Sequence, residues 1–338
     1  MPRCIYCGQD KPIGGFNREH VINAAFGGFE GALTLVSPYD PGVCADCNTE
    51  FSSTIDLAIT RDSMEAMLRL DVGLKSPAEV ANLFRQRVRF RLPSDNEMGL
   101  GPLYLDMVPS DDGTEYRVVP VPQVRFRTAN DEFKSLTEEM LKGKDPRLDP
   151  DIDLSRKRDL FWPSHDEDAP SRLISLLERY DIAFKPGNPF VPPPNQEMDF
   201  ETLAFADKYI ARAVAKTAMN YLAKTSGESD QSFVHDSMFD PVRRFIRYGE
   251  GRGGQFVQVW QMPTSIVGLT EAGAFNGHLL HVKWEKGAGE HILAFVRLFG
   301  VIEYVVRLAK NPTAPWRDLS IAHEYDLVSM KVRRLKRG

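Results

Sequence analysis

The sequence predicts an α+β fold in which a small, cysteine-stapled N-terminal module precedes a larger α+β region with an antiparallel sheet. Three observations carry that expectation. All four cysteines lie in the first 47 residues as two C-x-x-C pairs, later segments alternate apolar and polar residues with the period of a strand, and others repeat apolar residues with the period of a helix. The chain has 338 residues, 42% hydrophobic and 26% charged, enough for more than one folded unit and far from a disordered composition. A net charge of −5 excludes a protein that coats nucleic acid non-specifically, so such a role would rest on local patches or bound metal. The longest apolar stretch, Ile292 to Ala309, is broken by Arg297, Glu303 and Arg307 and is not expected to span a membrane. No apolar leader follows Met1-Pro2-Arg3-Cys4, so a reducing, cytoplasmic setting is expected.

The pairs Cys4-x-x-Cys7 and Cys44-x-x-Cys47 offer four thiolates to one tetrahedral ion, and soft sulfur donors favour structural Zn²⁺. A redox motif needs only one pair, and disulfides need an oxidising compartment. Four thiolates leave no open position for water, so this zinc would not itself be catalytic. The 36 residues from Gly8 to Val43 exceed the spacer of a simple four-cysteine ribbon and must form structure of their own. That insert contains Arg18-Glu19-His20-Val21-Ile22 and then Gly27-Gly28, and Asn48 directly follows the last cysteine.

C-x-x-C, then E-H-V-I with Gly-Gly behind it, then C-x-x-C-N resembles the HNH endonucleases with a ββα-metal (His-Me finger) core, in the branch stapled by a four-cysteine zinc. The resemblance covers about residues 1–75. It implies that His20 is a general base and that Glu19 and Asn48 hold a catalytic Mg²⁺ or Mn²⁺; Arg18, the residue before them, is expected to contact DNA. The residue chemistry is compatible: imidazole suits a base at neutral pH, and carboxylate and amide oxygens suit a hard cation. Adjacent strand residues face opposite sides, so Glu19 and His20 reach one ion only at a twisting strand end. Asn48 is expected to open a helix carrying Phe51, Ile55, Leu57-Ala58 and Ile59. Members often carry proline where Asn23 stands. The middle asparagine of the HNH name has no counterpart between Phe29 and Val43, which leaves Thr34, Ser37 or a backbone carbonyl to orient His20.

The remaining elements follow in order. A helix from Met64 stops at Gly73. Residues 85–92 alternate as a strand, with Arg85, Arg87, Arg89 and Arg91 on one face. Arg87, Arg89 and Arg91 are either a ladder for the DNA backbone or a solvated face paired with acidic neighbours. Arg125-Phe126-Arg127 repeats the pattern after the strand-like Glu115 to Val121. Lys142 to Gln196 reads as loop-rich and ends in Pro192-Pro193-Pro194, which places domain boundaries at 1–75, 76–198 and 199–338. A long helix is expected from about Asp199 to Lys224, with Lys208, Arg212 and Lys216 along one face. A second begins with Asp240 as N-cap and Pro241 at N1 and stops at Gly249, with Arg243 and Arg247 sharing a face. Strands are expected at Gln255 to Gln261, Leu279 to Trp284, Ile292 to Leu298 and Ile302 to Leu308, with a hairpin turn at Lys286-Gly287-Ala288-Gly289. His278, His281 and His291 are read as buried or hydrogen-bonded rather than as a second metal site. Residues 331–337 are either an electrostatic hook or a solubilising end.

Residues 1–75 hold six Lys or Arg against ten Asp or Glu, so DNA affinity is expected from the arginine ladder, the basic helix faces or the tail. The leading expectation is a metal-dependent HNH endonuclease acting on DNA, with RNA a less favoured substrate, no membrane partner and a homodimer where duplex cleavage needs two sites. Bacterial defence, restriction or mobile-element nucleases fit that organisation. The rival expectation is a non-catalytic zinc-stapled module that binds nucleic acid or protein.

Overall fold

The computed structural model describes residues 1–36, 42–76, 79, 88–93, 102–110, 116–184, 201–204, 206–226, 235–261, 276–287, 289–313, 316–317 and 319–335. They fold as an α+β protein, and all strand pairings among them are antiparallel apart from two isolated bridges. Contacts group residues 1–75 with 206–338 in one discontinuous unit and residues 76–205 in another.

The chain opens with four two-residue strands, β1 (Phe16–Asn17), β2 (Glu19–His20), β3 (Thr34–Leu35) and β4 (Val43–Cys44), followed by α1 (Ala45–Ser53), α2 (Ile55–Arg61) and α3 (Met64–Asp71). β1 pairs with β4, and β2 with β3. The helix expected from Asn48 begins at Ala45, because Cys44 is already its N-cap; it then breaks at Thr54, whose ψ of −85° is not helical. Ser63 caps α3 by accepting the Ala66 N–H, and Gly73 ends it in the left-handed region at φ 72°.

The second unit comprises β5 (Val88–Leu92), β6 (Leu103–Pro109), β7 (Tyr116–Pro120), β8 (Gln123–Arg127), β9 (Phe133–Thr137), α4 (Glu138–Gly143), β10 (Asp159–Phe161), α5 (Ala169–Glu178) and β11 (Glu201–Ala204). One sheet runs β11-β5-β6-β7 and another β10-β8-β9. Val124, Phe126, Leu136, Leu160, Leu173 and Leu177 form the core that joins the three-stranded sheet to α5. Residues 142–196 are thus not simply loop: β10 and α5 lie among them, and α5 presents Leu173 and Leu177 one turn apart. Arg125 is buried, ion-paired to Asp159 at 2.6 Å and stacked 4.0 Å from the Phe133 ring centroid.

The chain then returns to the first unit with α6 (Lys208–Ser226), α7 (Asp240–Tyr248), β12 (Val257–Gln261), β13 (Gly277–Gly287), β14 (Gly289–Leu298), β15 (Ile302–Lys310), β16 (Ser320–Asp326) and β17 (Lys331–Leu335). These strands form a six-stranded sheet in the order β12-β15-β14-β13-β16-β17. The expected start of the long helix is corrected. Residues 201–204 are β11, paired with β5, and α6 begins after Asp207, whose carboxylate accepts the Tyr209 and Ile210 N–H groups. In the second helix Asp240 is the first helical residue rather than the cap, and Asp236 caps the short 3-10 turn before it. Gly249 ends that helix at φ 67°. The basic tail is an edge strand as far as Leu335, with Arg333 paired to Glu324 at 2.5 Å.

Helix α6 packs against α2 and against β13, β14 and β15. Fifteen of its nineteen residues are buried, and Lys208 and Tyr209 at its start are exposed. The module also meets the sheet through the Glu30 backbone, which accepts from Val332 and donates to Met330. Among the described residues no helix is long and apolar enough to cross a membrane.

Candidate metal centre and active site

The four thiols converge. Their sulfurs all lie within 4.8 Å of one another, with Cys4–Cys47 and Cys7–Cys44 each at 3.8 Å. A tetrahedron with metal–sulfur bonds of about 2.3 Å has edges of about 3.8 Å, which two of the sulfur pairs match, so the donor set could hold an ion such as Zn²⁺. Cys44 is the N-cap residue of α1 and Cys47 lies in its first turn. The Cys4 sulfur also accepts the Tyr6 and Cys44 N–H groups at 3.5 and 3.4 Å. The contact with Cys47 and these bonds, against the effect of burial, push Cys4 down to about 4. Among the described residues this is the one cluster of three or more His, Cys, Asp or Glu groups with metal-holding spacing.

Beside this clip, β2 places Glu19 and His20 on opposite sides, as adjacent strand residues require. Glu19 is 6% exposed and faces α6. Its Oε1 lies 2.7 Å from Lys216 Nζ and accepts a bond from Asn220 Nδ2 at 3.2 Å. Lys216 also donates to both oxygens of Asp56, at 2.8 and 2.6 Å. Burial lowers the tendency of Lys216 to stay charged, but the two carboxylates outweigh it and hold its pKa above the usual lysine value. Burial raises Glu19, opposed by Lys216.

His20 is half-buried, and its imidazole pKa is lowered by burial first, then by the charges of Arg18 and Lys216. Thr34 is its cross-strand partner, Ser37 lies outside the described residues, and among the described residues no hydrogen bond reaches the ring. Asn48, in the first turn of α1, donates from Nδ2 to the Arg18 carbonyl at 3.4 Å, which ties the helix behind the second knuckle to the residue before Glu19. Arg18 has an exposed side chain. Asn23 occupies φ −53°, close to proline's fixed angle, and its side chain accepts the Ala25 N–H at 2.9 Å. Gly27 sits at φ 141°, and a Cβ there would meet the Phe29 ring at 2.6 Å, so the turn after E-H-V-I needs glycine.

The expected basic surfaces are largely paired. Arg87 lies outside the described residues; Arg89 pairs with Glu139 at 3.2 Å, and Arg91, its neighbour on the same face, also has interactions. The basic face of α6 is corrected at two of its three positions: Lys208 is exposed, but Arg212 is buried against Glu50 and the Ile246 carbonyl, and Lys216 against Glu19 and Asp56, because buried charges must pair internally. Arg247 pairs with the same Glu50, and Arg243 with Asp240. His278 is fully buried: its Nε2–H donates to the Phe26 carbonyl at 2.9 Å and its Nδ1 accepts the Phe299 N–H at 3.1 Å. His281 bonds Ser320.

Sequence reasoning missed Lys216, Asn220, Asp56 and Tyr6 as parts of this site. A signal was present: between Ile210 and Leu222 the polar residues other than Thr217 stand at 212, 216 and 220, recurring every fourth position among Ala, Val, Ile, Met, Leu and Tyr.

A four-cysteine cluster that could hold a metal thus lies beside a Glu-His strand and an Asn-bearing helix. Residues 4–64 match the family model described as HNH endonuclease, so an HNH domain occupies the N-terminus. No curated protein and no solved structure matches the chain. The family match supports a nuclease-type function.

Proposed function

We propose that the protein is a metal-dependent endonuclease that hydrolyses DNA phosphodiester bonds, with Zn²⁺ in the four-cysteine clip as a structural ion. The observation that carries this reading is the bond from Asn48 to the Arg18 carbonyl, which brings the C-x-x-C-N helix and the Glu-His strand together beside the clip. Glu19 and Asn48 would hold a Mg²⁺ or Mn²⁺ ion. Oε1 of Glu19 takes both bonds from α6, so Oε2 remains for a cation; Asn48 uses its amide nitrogen on Arg18, so its oxygen remains as a donor. Such an ion supplies positive charge at the non-bridging and leaving oxygens of the phosphate. His20, kept neutral at pH 7 by burial and neighbouring cations, accepts the proton of the attacking water. As the water oxygen bonds to phosphorus, the bond to the 3′ oxygen breaks. Exposed Arg18 is placed to hold a neighbouring phosphate. One site of this kind cuts one strand, and a homodimer would supply two. A bacterial defence, restriction or mobile-element role fits this chemistry.

The test is supercoiled plasmid incubated with Mg²⁺ or Mn²⁺, with an RNA substrate in parallel. Wild type is expected to nick DNA only with metal, and His20→Ala to lose at least about 100-fold. Equal nicking by both proteins would remove His20 from the chemistry. A second reading, a zinc-stapled binding module that does not cut, is favoured by one observation, the engagement of Glu19 in a buried ion pair. It requires DNA retention in a gel shift without cleavage under any metal.

A further inference from the structure

We propose that Asn220, on a helix 200 residues beyond the motif, is a positioning residue for the Glu19–His20 pair, and that Tyr6 fixes its orientation. The proposal rests on the nuclease reading above and adds to it a part supplied from outside the matched segment.

Asn220 is 0% exposed and every contact of its amide is specific. Its Nδ2 group donates to the Glu19 carboxylate at 3.2 Å and to the His20 main-chain carbonyl at 3.2 Å. Its Oδ1 accepts from the Tyr6 hydroxyl at 2.6 Å. A side-chain amide is free to flip by 180° unless its two ends see different partners. Here they do: Nδ2 faces two acceptors and Oδ1 faces a donor, so one orientation satisfies all three bonds. Tyr6 is itself anchored, being 4% exposed, edge-on to Phe51 at 4.9 Å and two residues from the zinc-ligand-type Cys4.

The two Nδ2 bonds have a consequence that neither has alone. One fixes the side chain of Glu19 and the other fixes the His20 carbonyl, which belongs to the His20–Val21 peptide, so the backbone rotation between these two anchored points is restrained. That rotation sets how far the inward-facing Glu19 and the outward-facing His20 diverge. Lys216, one turn earlier on α6, binds the same Glu19 oxygen and supplies charge, but it makes no bond to His20. Asn220 alone among the α6 residues touches both members of the pair.

Outer-shell partners of metal ligands typically contribute 10- to 100-fold to metal affinity or activity. In the full-length, zinc-loaded protein, Asn220→Ala is expected to lower kcat for plasmid nicking by that factor. The KM for DNA should stay within about two-fold, because no DNA contact is removed. Mn²⁺ affinity, read by calorimetry without substrate, should fall by a similar factor. Tyr6→Phe keeps the ring and its packing and removes the bond to the amide together with a longer one to the Lys216 carbonyl at 3.3 Å, so it should produce a smaller fall of the same kind. That variant also keeps the test open if Asn220→Ala does not fold. Zinc content should stay at one ion per chain in both.

His20→Ala serves as the reference. If it is inactive while Asn220→Ala and Tyr6→Phe keep wild-type kcat and Mn²⁺ affinity, the positioning role is overturned and the nuclease reading stands. If His20→Ala is as active as wild type, or wild type neither binds Mn²⁺ nor nicks, the nuclease reading fails and takes this role with it. A rise in KM with kcat unchanged would make Asn220 a determinant of DNA binding instead, which also overturns it.

Discussion

His20 and His278 show how one residue type takes two fates from its surroundings. His20 is half-buried beside an exposed arginine, and both burial and that cation lower its pKa below 6.5. A base must be neutral to accept a proton, so nicking should persist somewhat below pH 6.5 and fall only on passing the lowered value. Arg18→Ala should shift the acid limb of kcat upward, and an unchanged limb would show that Arg18 does not sense the imidazole. His278 is sealed in the aromatic contacts of Phe26, Phe29 and Phe299, and burial pushes it down to about 4. Its folded value lies below its unfolded one, so the unfolded chain binds the proton first as pH falls. The stability it contributes is complete above about 6.5 and is lost toward 4, by up to about 3 kcal/mol. Urea titrations at pH 7.5 and 4.5 should show a shallower pH dependence for His278→Gln than for wild type, and identical dependence would contradict this.

At the scale of elements, α6 is the decisive one. The row Arg212, Lys216, Asn220 recurs at every fourth residue and faces the N-terminal module, while Tyr221 on another face reaches His323 of the sheet. Lys216→Met would leave Glu19 and Asp56 as buried carboxylates without their cation, which costs about 3–5 kcal/mol. Adding Asp56→Asn should recover part of that loss in a urea midpoint, and a single variant as stable as wild type would show the pair to be dispensable. The sequence made the helix legible and its surroundings illegible. Periodicity located the apolar residues, but the same four-residue spacing of cations describes both a solvated face and an internal ion-pair row. Only the burial of Arg212, Lys216 and Asn220 separates them. The four-cysteine clip was legible because thiolate spacing tolerates few interpretations. Helix α5 and strands β16 and β17 were not, since Arg, Ser and Asp between their apolar residues hide a short period.

For the whole molecule, contacts group residues 1–75 with 206–338 and set 76–205 apart. Nothing local shows that residues 1–75 fold with 206–338, because that relation rests on contacts such as Arg212–Glu50 and Lys216–Glu19 made across more than a hundred residues. Residues 1–75 alone would therefore bind zinc but leave Glu19 and Asp56 without their counter-ion. Replacing residues 76–205 by a flexible linker should instead give a chain that takes up one zinc and unfolds cooperatively. A linker protein that aggregates or lacks zinc, beside a well-folded 1–75 fragment, would argue that the grouping is wrong.

The discontinuity also orders events during synthesis. A ribosome delivers the cysteine clip early, and zinc capture can follow as soon as Cys47 has emerged. Lys216 and Asn220 come out only after the whole of residues 76–205. Until then the Glu-His strand lacks its inner support, so a truncated translation product would carry the cysteine clip with Glu19 still missing its partners on α6.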